Sequence, residues 1–115
     1  MPTHDTGSLL IIDDEPDVCL LLKRALSPRY AQIDCAYSLA EGMEKAALMG
    51  PDVIVLDNNL PDGFGINEIH TFKNTAKATK VVMLSAMDVQ TDALAAGADY
   101  FLEKPVSLKR LRSVT

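Results

Sequence analysis

The sequence predicts an α/β fold, a doubly wound five-stranded parallel sheet with helices on both faces. Two observations predict it. Four short apolar runs do not alternate with polar residues: Leu9-Leu10-Ile11-Ile12, Val53-Ile54-Val55-Leu56, Val81-Val82-Met83-Leu84 and Tyr100-Phe101-Leu102. Continuous runs of this length suit strands buried on both faces of a parallel sheet. Between the strands lie segments whose apolar residues recur at helical spacing, so strand and helix alternate five times along the chain.

Each element has its own signal. The run Leu9–Ile12 is the first strand, and residues 1–8 before it read as a loose tail. Val18, Leu21, Leu22 and Ala25 share one face of the first helix, with Pro16 near its start and Pro28 just past its end. Gln32-Ile33-Asp34-Cys35-Ala36 alternates, which suits an edge strand with one wetter face. Ser38-Leu39-Ala40-Glu41 is a capping box opening the second helix, which stops at Gly50-Pro51. The third helix follows the Pro61-Asp62-Gly63 turn, with Ile66, Ile69 and Phe72 on one face. The fourth carries Val89, Ala93 and Leu94 and ends at Gly97. The fifth begins near Ser107, with Leu108 and Leu111 inward.

Composition narrows the function classes. The chain has 115 residues, enough for one domain, and a formal net charge of −5. An acidic chain of this kind is a poor candidate for direct nucleic-acid binding, which needs clustered Lys and Arg. No apolar run approaches bilayer length, and Met1–Ser8 lacks the features of a signal peptide. Cys19 and Cys35 match no zinc spacing and read as buried thiols in a reducing compartment, so a cytoplasmic location is expected. His70 reads as a surface residue and His4 as part of the tail. Lys109, Arg110 and Arg112 read as a solvated helical face. Met43, Met49, Met83 and Met87 read as core filling or core edge.

The informative polar residues stand directly after the strands. The first strand runs into Asp13-Asp14, the third into Asp57, the fourth into Ser85, and the fifth, past Glu103, into Lys104-Pro105. Singly, each has a bland reading, since Asp caps helices and Ser or Lys at a strand end is common. In a doubly wound sheet, however, the carboxyl ends of the strands share one edge, where ligands bind at the switch in strand order. Three carboxylates brought together there repel, so either one is protonated or a cation sits among them. Oxygen-only ligands favour a hard cation such as Mg²⁺. A metal and a lysine beside a carboxylate, with a hydroxyl nearby, make a cradle for a phosphoryl group on a carboxylate nucleophile.

Four ordered motifs give a resemblance: Leu10-Ile11-Ile12-Asp13-Asp14-Glu15-Pro16; Val55-Leu56-Asp57 with Leu60-Pro61-Asp62-Gly63; Met83-Leu84-Ser85-Ala86; and Gly97-Ala98-Asp99-Tyr100-Phe101-Leu102-Glu103-Lys104-Pro105. From residue 9 to 115 the chain resembles the receiver domain of bacterial two-component response regulators. The resemblance implies a flavodoxin-like sheet of order 2-1-3-4-5. It implies Asp57 as phosphoacceptor and Mg²⁺ as cofactor, bound by the side chains of Asp14 and Asp57, the backbone carbonyl of Asn59 and, through water, Asp13. Ser85 and Lys104 would each hold a phosphoryl oxygen. Phe101 stands at the family's switch aromatic, the positions of Asn59 and Met87 tune phosphoryl lifetime, and the Lys104–Pro105 peptide is expected to be cis. The implied partner is a histidine kinase or histidine phosphotransfer protein. The implied oligomeric state is a monomer or a phosphorylation-dependent dimer.

The chain departs from the family in two places. Between Ser85 and Gly97 it is shorter than usual by about one helical turn, so the fourth helix is expected to be cut down. The fifth helix is truncated at Thr115, which suggests a piece of a longer protein with an output domain after residue 115. Two other readings compete with a switch that catalyses only its own phosphorylation and dephosphorylation. A Mg²⁺-dependent aspartate-nucleophile phosphatase would need an acid two residues past the nucleophile, where Asn59 stands. A phosphorylation-independent interaction module would be expected to have lost an acidic-pocket residue or the lysine.

Overall fold

The computed structural model describes residues 7–75 and 79–115. The main sheet contains β1 (Ser8–Ile12), β2 (Gln32–Ala36), β3 (Val53–Asp57), β6 (Lys80–Ser85) and β7 (Tyr100–Glu103), all parallel. A two-stranded antiparallel hairpin, β4 (Asn59–Leu60) and β5 (Gly63–Phe64), follows β3. The sheet order is β2-β1-β3-β6-β7. Counted along the main strands alone, that is the expected 2-1-3-4-5. The helices are α1 (Pro16–Leu26), α2 (Leu39–Met49), α3 (Ile69–Thr75), α4 (Gln90–Ala95) and α5 (Leu108–Val114).

Strand periodicity divides the core in two. Successive side chains of β1 point to opposite faces. Leu10 and Ile12 join Ile54, Leu56, Val81 and Met83 beneath α2, α3 and α4, with Leu39, Ala46, Ile69, Phe72 and Ala93. Leu9 and Ile11 join Val55, Val82, Leu84 and Leu102 beneath α1 and α5, with Cys19, Leu22, Leu26 and Leu111. At Gly42 α2 lies so close to β1 that an added Cβ would stand 2.6 Å from Ile12 Cδ1.

The helix ends follow local chemistry. Pro16 sits in the first turn of α1, where a missing N–H leaves no bond unmade. The first half of the α2 capping box forms as expected, while the Glu41 carboxylate reaches one residue beyond the N-cap Ser38. Glu41 N–H donates to Ser38 Oγ at 3.1 Å, and Tyr37 N–H donates to Glu41 Oε1 at 2.7 Å. Gly50, at φ 56°, takes the left-handed conformation that closes α2. The short α4 and α5 agree with the expected shortening, at 6 and 7 residues.

Several expectations need correction. Tyr100 is exposed and Phe101 half-buried, because β7 is the second edge of the sheet and only Leu102 is fully covered. Leu21 is exposed, and the buried stripe of α1 runs instead through Cys19, Leu22 and Leu26. The third helical segment opens as a 3₁₀ turn over Gly65–Glu68 before α3. Met87 is exposed, because it follows Ser85 out of the sheet, and Cys35 is only half-buried on its edge strand. Ser8 already belongs to β1, opposite Gln32, and its N–H donates to Asp52. Gly7 is also described, its carbonyl accepting from the Ala31 N–H at 3.0 Å, and residues 1–6 with His4 lie outside the described residues. His70, Lys109, Arg110 and Arg112 are exposed as expected. No described helix is long and apolar enough to cross a membrane.

Candidate functional site

The switch in strand order lies between β1 and β3, and the residues singled out by the sequence stand at the carboxyl ends of the strands there. Asp13 leaves β1 with its N–H donating to the Ala36 carbonyl at 3.0 Å. Its Oδ1 accepts from the Glu15 N–H at 2.9 Å, a local turn that aims the carboxylate inward. Asp13 is buried, whereas Asp14 is exposed at the rim. Asp57 is the last residue of β3, 3% exposed. One carboxylate oxygen from each of Asp13, Asp14 and Asp57 lies within 4.8 Å of the others.

The fourth member of the group is cationic. Lys104 Nζ lies 2.8 Å from Asp57 Oδ1. Burial works against its ammonium, but the hydrogen bond and charge of Asp57, with the further charge of Asp13, outweigh it and hold the pKa above the ordinary lysine value. The Lys104–Pro105 peptide is cis. Ser85 ends β6, is buried, and its Oγ accepts from the Met87 N–H at 3.0 Å. That bond uses a lone pair and leaves the hydroxyl hydrogen free to donate. Phe101 is half-buried against the core face that carries Leu56 and Met83.

Burial pushes the Asp13 carboxyl up to about 6. The Glu15 N–H opposes this, and the charge of Asp57 adds to it. Asp13 Oδ2 is fully buried and has no hydrogen-bond partner among the described residues. A buried carboxylate oxygen with no donor is costly unless something positive faces it. An all-oxygen set around that orphaned atom fits a hard divalent cation, held directly or through water.

The structure adds residues that the sequence reading passed over. Asn58 is buried, and its N–H donates to the Leu84 carbonyl at 3.0 Å. Its carbonyl accepts from the Gly65 N–H at 2.7 Å, and its Oδ1 accepts from the Ile66 N–H at 2.9 Å. Gly65 packs against Asp57 so closely that an added Cβ would stand 2.5 Å from the Asp57 carbonyl. Asp62 accepts from the Leu39 N–H at 2.8 Å and the Ala40 N–H at 2.9 Å, which latches the hairpin to the start of α2 and lowers the Asp62 pKa. Asn59, exposed, opens the hairpin between these fixed points. The only sequence cues were an Asn after a buried strand and a Gly in the loop beyond it.

Residues 9–115 match the family model of the response regulator receiver domain. The chain belongs to that family. It is 37% identical over 109 residues to the KDP operon transcriptional regulatory protein KdpE of Escherichia coli, covering 92% of this chain and 48% of that protein. It is 37% identical over 108 residues to the response regulator protein PilR of Pseudomonas aeruginosa, covering 91% of this chain and 24% of that protein. The chain thus spans about half the length of one relative and a quarter of the other. A two-component response regulator from Clostridium difficile superposes with a TM-score of 0.87 at 30% identity, covering 94% of this chain and 91% of that one. A response regulator from Burkholderia pseudomallei, solved with a phosphorylated aspartic acid, a calcium ion and citrate, superposes with a TM-score of 0.86. At 23% identity, covering 94% of this chain and 65% of that one, it speaks for the fold.

Proposed function

We propose that this receiver is a phosphorylation-driven switch in which Asp57 accepts a phosphoryl group from a histidine kinase or histidine phosphotransfer protein. The observation that carries the proposal is the pocket itself. A buried carboxylate is paired at 2.8 Å with Lys104 and shares its space with Asp14 and with Asp13, whose Oδ2 has no partner among the described residues. Asp14, Asp57 and the Asn59 carbonyl would hold Mg²⁺, with Asp13 reached through water. When bound, Mg²⁺ supplies positive charge to the oxygens of the transferring group.

The remaining chemistry belongs to the chain. An Asp57 carboxylate oxygen attacks phosphorus as the bond to the donor's imidazole nitrogen breaks, leaving an acyl phosphate. Asp57 is fixed by its strand, by Asn58 and by Gly65, so little reorganisation is needed on attack. Lys104 moves its ammonium from the Asp57 carboxylate to a phosphoryl oxygen. Ser85 donates its free hydroxyl hydrogen to another, drawing Ala86 and Met87 with it. Phe101 then turns into the space Ser85 leaves, a local charge event biasing a two-state element. Asn59 and Met87 flank the phosphoryl group and tune its lifetime. The unpaired thiols support a cytoplasmic location. The transcriptional regulatory roles named for the relatives support a regulated output for the full protein.

The test is incubation with a small phosphodonor such as acetyl phosphate, with and without Mg²⁺. The proposal expects one hydroxylamine-labile phosphoryl group that requires Mg²⁺ and is absent from Asp57→Asn. Equal labelling of that variant overturns the assignment.

A further inference from the structure

The two cysteines lie far apart in the chain, yet the fold brings them together. Cys19 projects from α1 and is buried. Cys35 lies on β2, the edge strand, half-buried and opposite Ile11 of β1. Cys35 packs against the core cluster that holds Cys19. They line a surface cavity of about 230 Å³ with Lys23, Asp34, Tyr37 and Lys45. This flank, beyond the edge strand, is therefore open to small solutes.

We propose that Cys19 and Cys35 form a dithiol–disulfide site that couples oxidation to the acidic pocket. The roles of the two thiols differ. Lys45 is anchored beside Cys35, its Nζ donating to the Cys35 carbonyl at 2.6 Å and to Asp34 Oδ1 at 3.3 Å. The neighbouring Cys19 side chain holds the Cys35 pKa below the ordinary thiol value. Burial opposes this, the charges of Lys23 and Lys45 help it, and Asp34 counters them. Cys35, the more exposed and more acidic thiol, is the one that attacks. Cys19 is the resolving thiol.

With hydrogen peroxide as oxidant the step balances. The Cys35 thiolate attacks one peroxide oxygen and the O–O bond breaks, giving a sulfenic acid and hydroxide. The Cys19 sulfur then attacks the Cys35 sulfur, the S–O bond breaks, and water leaves with the Cys19 proton. Two thiols are oxidised to one disulfide and one peroxide is reduced to two waters. A small dithiol reverses the reaction by exchange.

The link to the pocket runs through one hydrogen. The Cys19 thiol donates to the Asp13 backbone carbonyl at 3.5 Å. A disulfide sulfur has no hydrogen to donate, so oxidation removes that bond. It also draws Cys19 toward an S–S separation of about 2.05 Å. Both changes act on the backbone that places the Asp13 carboxylate. This coupling rests on the metal-binding reading of the pocket, whereas formation of the cross-link does not.

The experiment exposes the full chain to hydrogen peroxide in chelator, removes the oxidant, and counts free thiols and maps peptides. Wild type should lose both thiols into one intramolecular cross-link that a small dithiol reverses. Cys19→Ser and Cys35→Ser, each with one thiol left, should form none. Mg²⁺ is then titrated, and the rise in melting temperature should be smaller for oxidised than for reduced wild type. That difference should vanish in Cys35→Ser. Free thiols that persist, or oxidation that stops at sulfinic acid without a cross-link, would overturn the dithiol site. A cross-link with an unchanged Mg²⁺ response would overturn the coupling. Acetyl phosphate labelling of the reduced protein separately reports whether the pocket reading stands.

Discussion

Replacing Asp13 with Asn should stabilise the metal-free protein, although it damages the proposed cation site. The magnitude follows from the pocket. Burial and the charge of Asp57 raise the Asp13 pKa from the ordinary 3.8 to about 6. Such a rise corresponds to about 3 kcal/mol of penalty for the ionised form in the fold at neutral pH. The sign is fixed by linkage. The folded pKa lies above the unfolded one, so the residue's contribution is fully present below the unfolded value and is lost as pH rises through about 6. In chelator, urea unfolding at intervals from pH 4 to pH 8 should show Asp13→Asn gaining on wild type through that window. The gain should level off near 3 kcal/mol, because the amide keeps the oxygen facing the Glu15 N–H and carries no charge. Added Mg²⁺ should narrow the gap by stabilising wild type more than the variant, since at one hundred times Kd a ligand contributes about 2.7 kcal/mol. A difference independent of pH, or a variant less stable than wild type at pH 7.5 in chelator, would overturn this expectation.

Other perturbations have equally definite outcomes. Lys104→Ala strips the partner from a buried carboxylate and should lower stability in chelator by about 2 kcal/mol, with Mg²⁺ restoring part of it in a melting experiment. Gly65→Ala drives a methyl group into the Asp57 carbonyl, so acetyl phosphate labelling should slow even where circular dichroism shows an intact fold. Ser38→Ala removes the cap on Glu41 N–H and should cost about 1 kcal/mol, with labelling of Asp57 unchanged.

Much of the architecture could be read from the residues, for physical reasons. A parallel strand covered on both faces has no reason to alternate, so Leu9–Ile12, Val53–Leu56 and Val81–Leu84 announced themselves. The same rule misled at Tyr100-Phe101-Leu102, because an apolar run does not reveal that no further strand covers its outer edge. The α2 capping box was legible since its partners are three residues apart. Asp62 reaches α2 across 23 residues, a contact that no local pattern encodes. The strand-end rule pointed to Asp13, Asp14, Asp57 and Lys104, which the parallel topology brings together, and to Ser85 at the end of β6. It could not find Gly65, whose importance is a backbone approach, or the meeting of Cys19 with Cys35, which depends on how α1 packs over β2.

Chemical trapping identifies the nucleophile residue by residue. Protein treated with acetyl phosphate and Mg²⁺ is reduced with borohydride, which converts an aspartyl phosphate to homoserine, and its peptides are sequenced by mass spectrometry. Homoserine is expected at position 57, with aspartate retained at positions 13 and 14. Homoserine at position 13 or 14, with residue 57 still aspartate, would contradict Asp57 as the nucleophile.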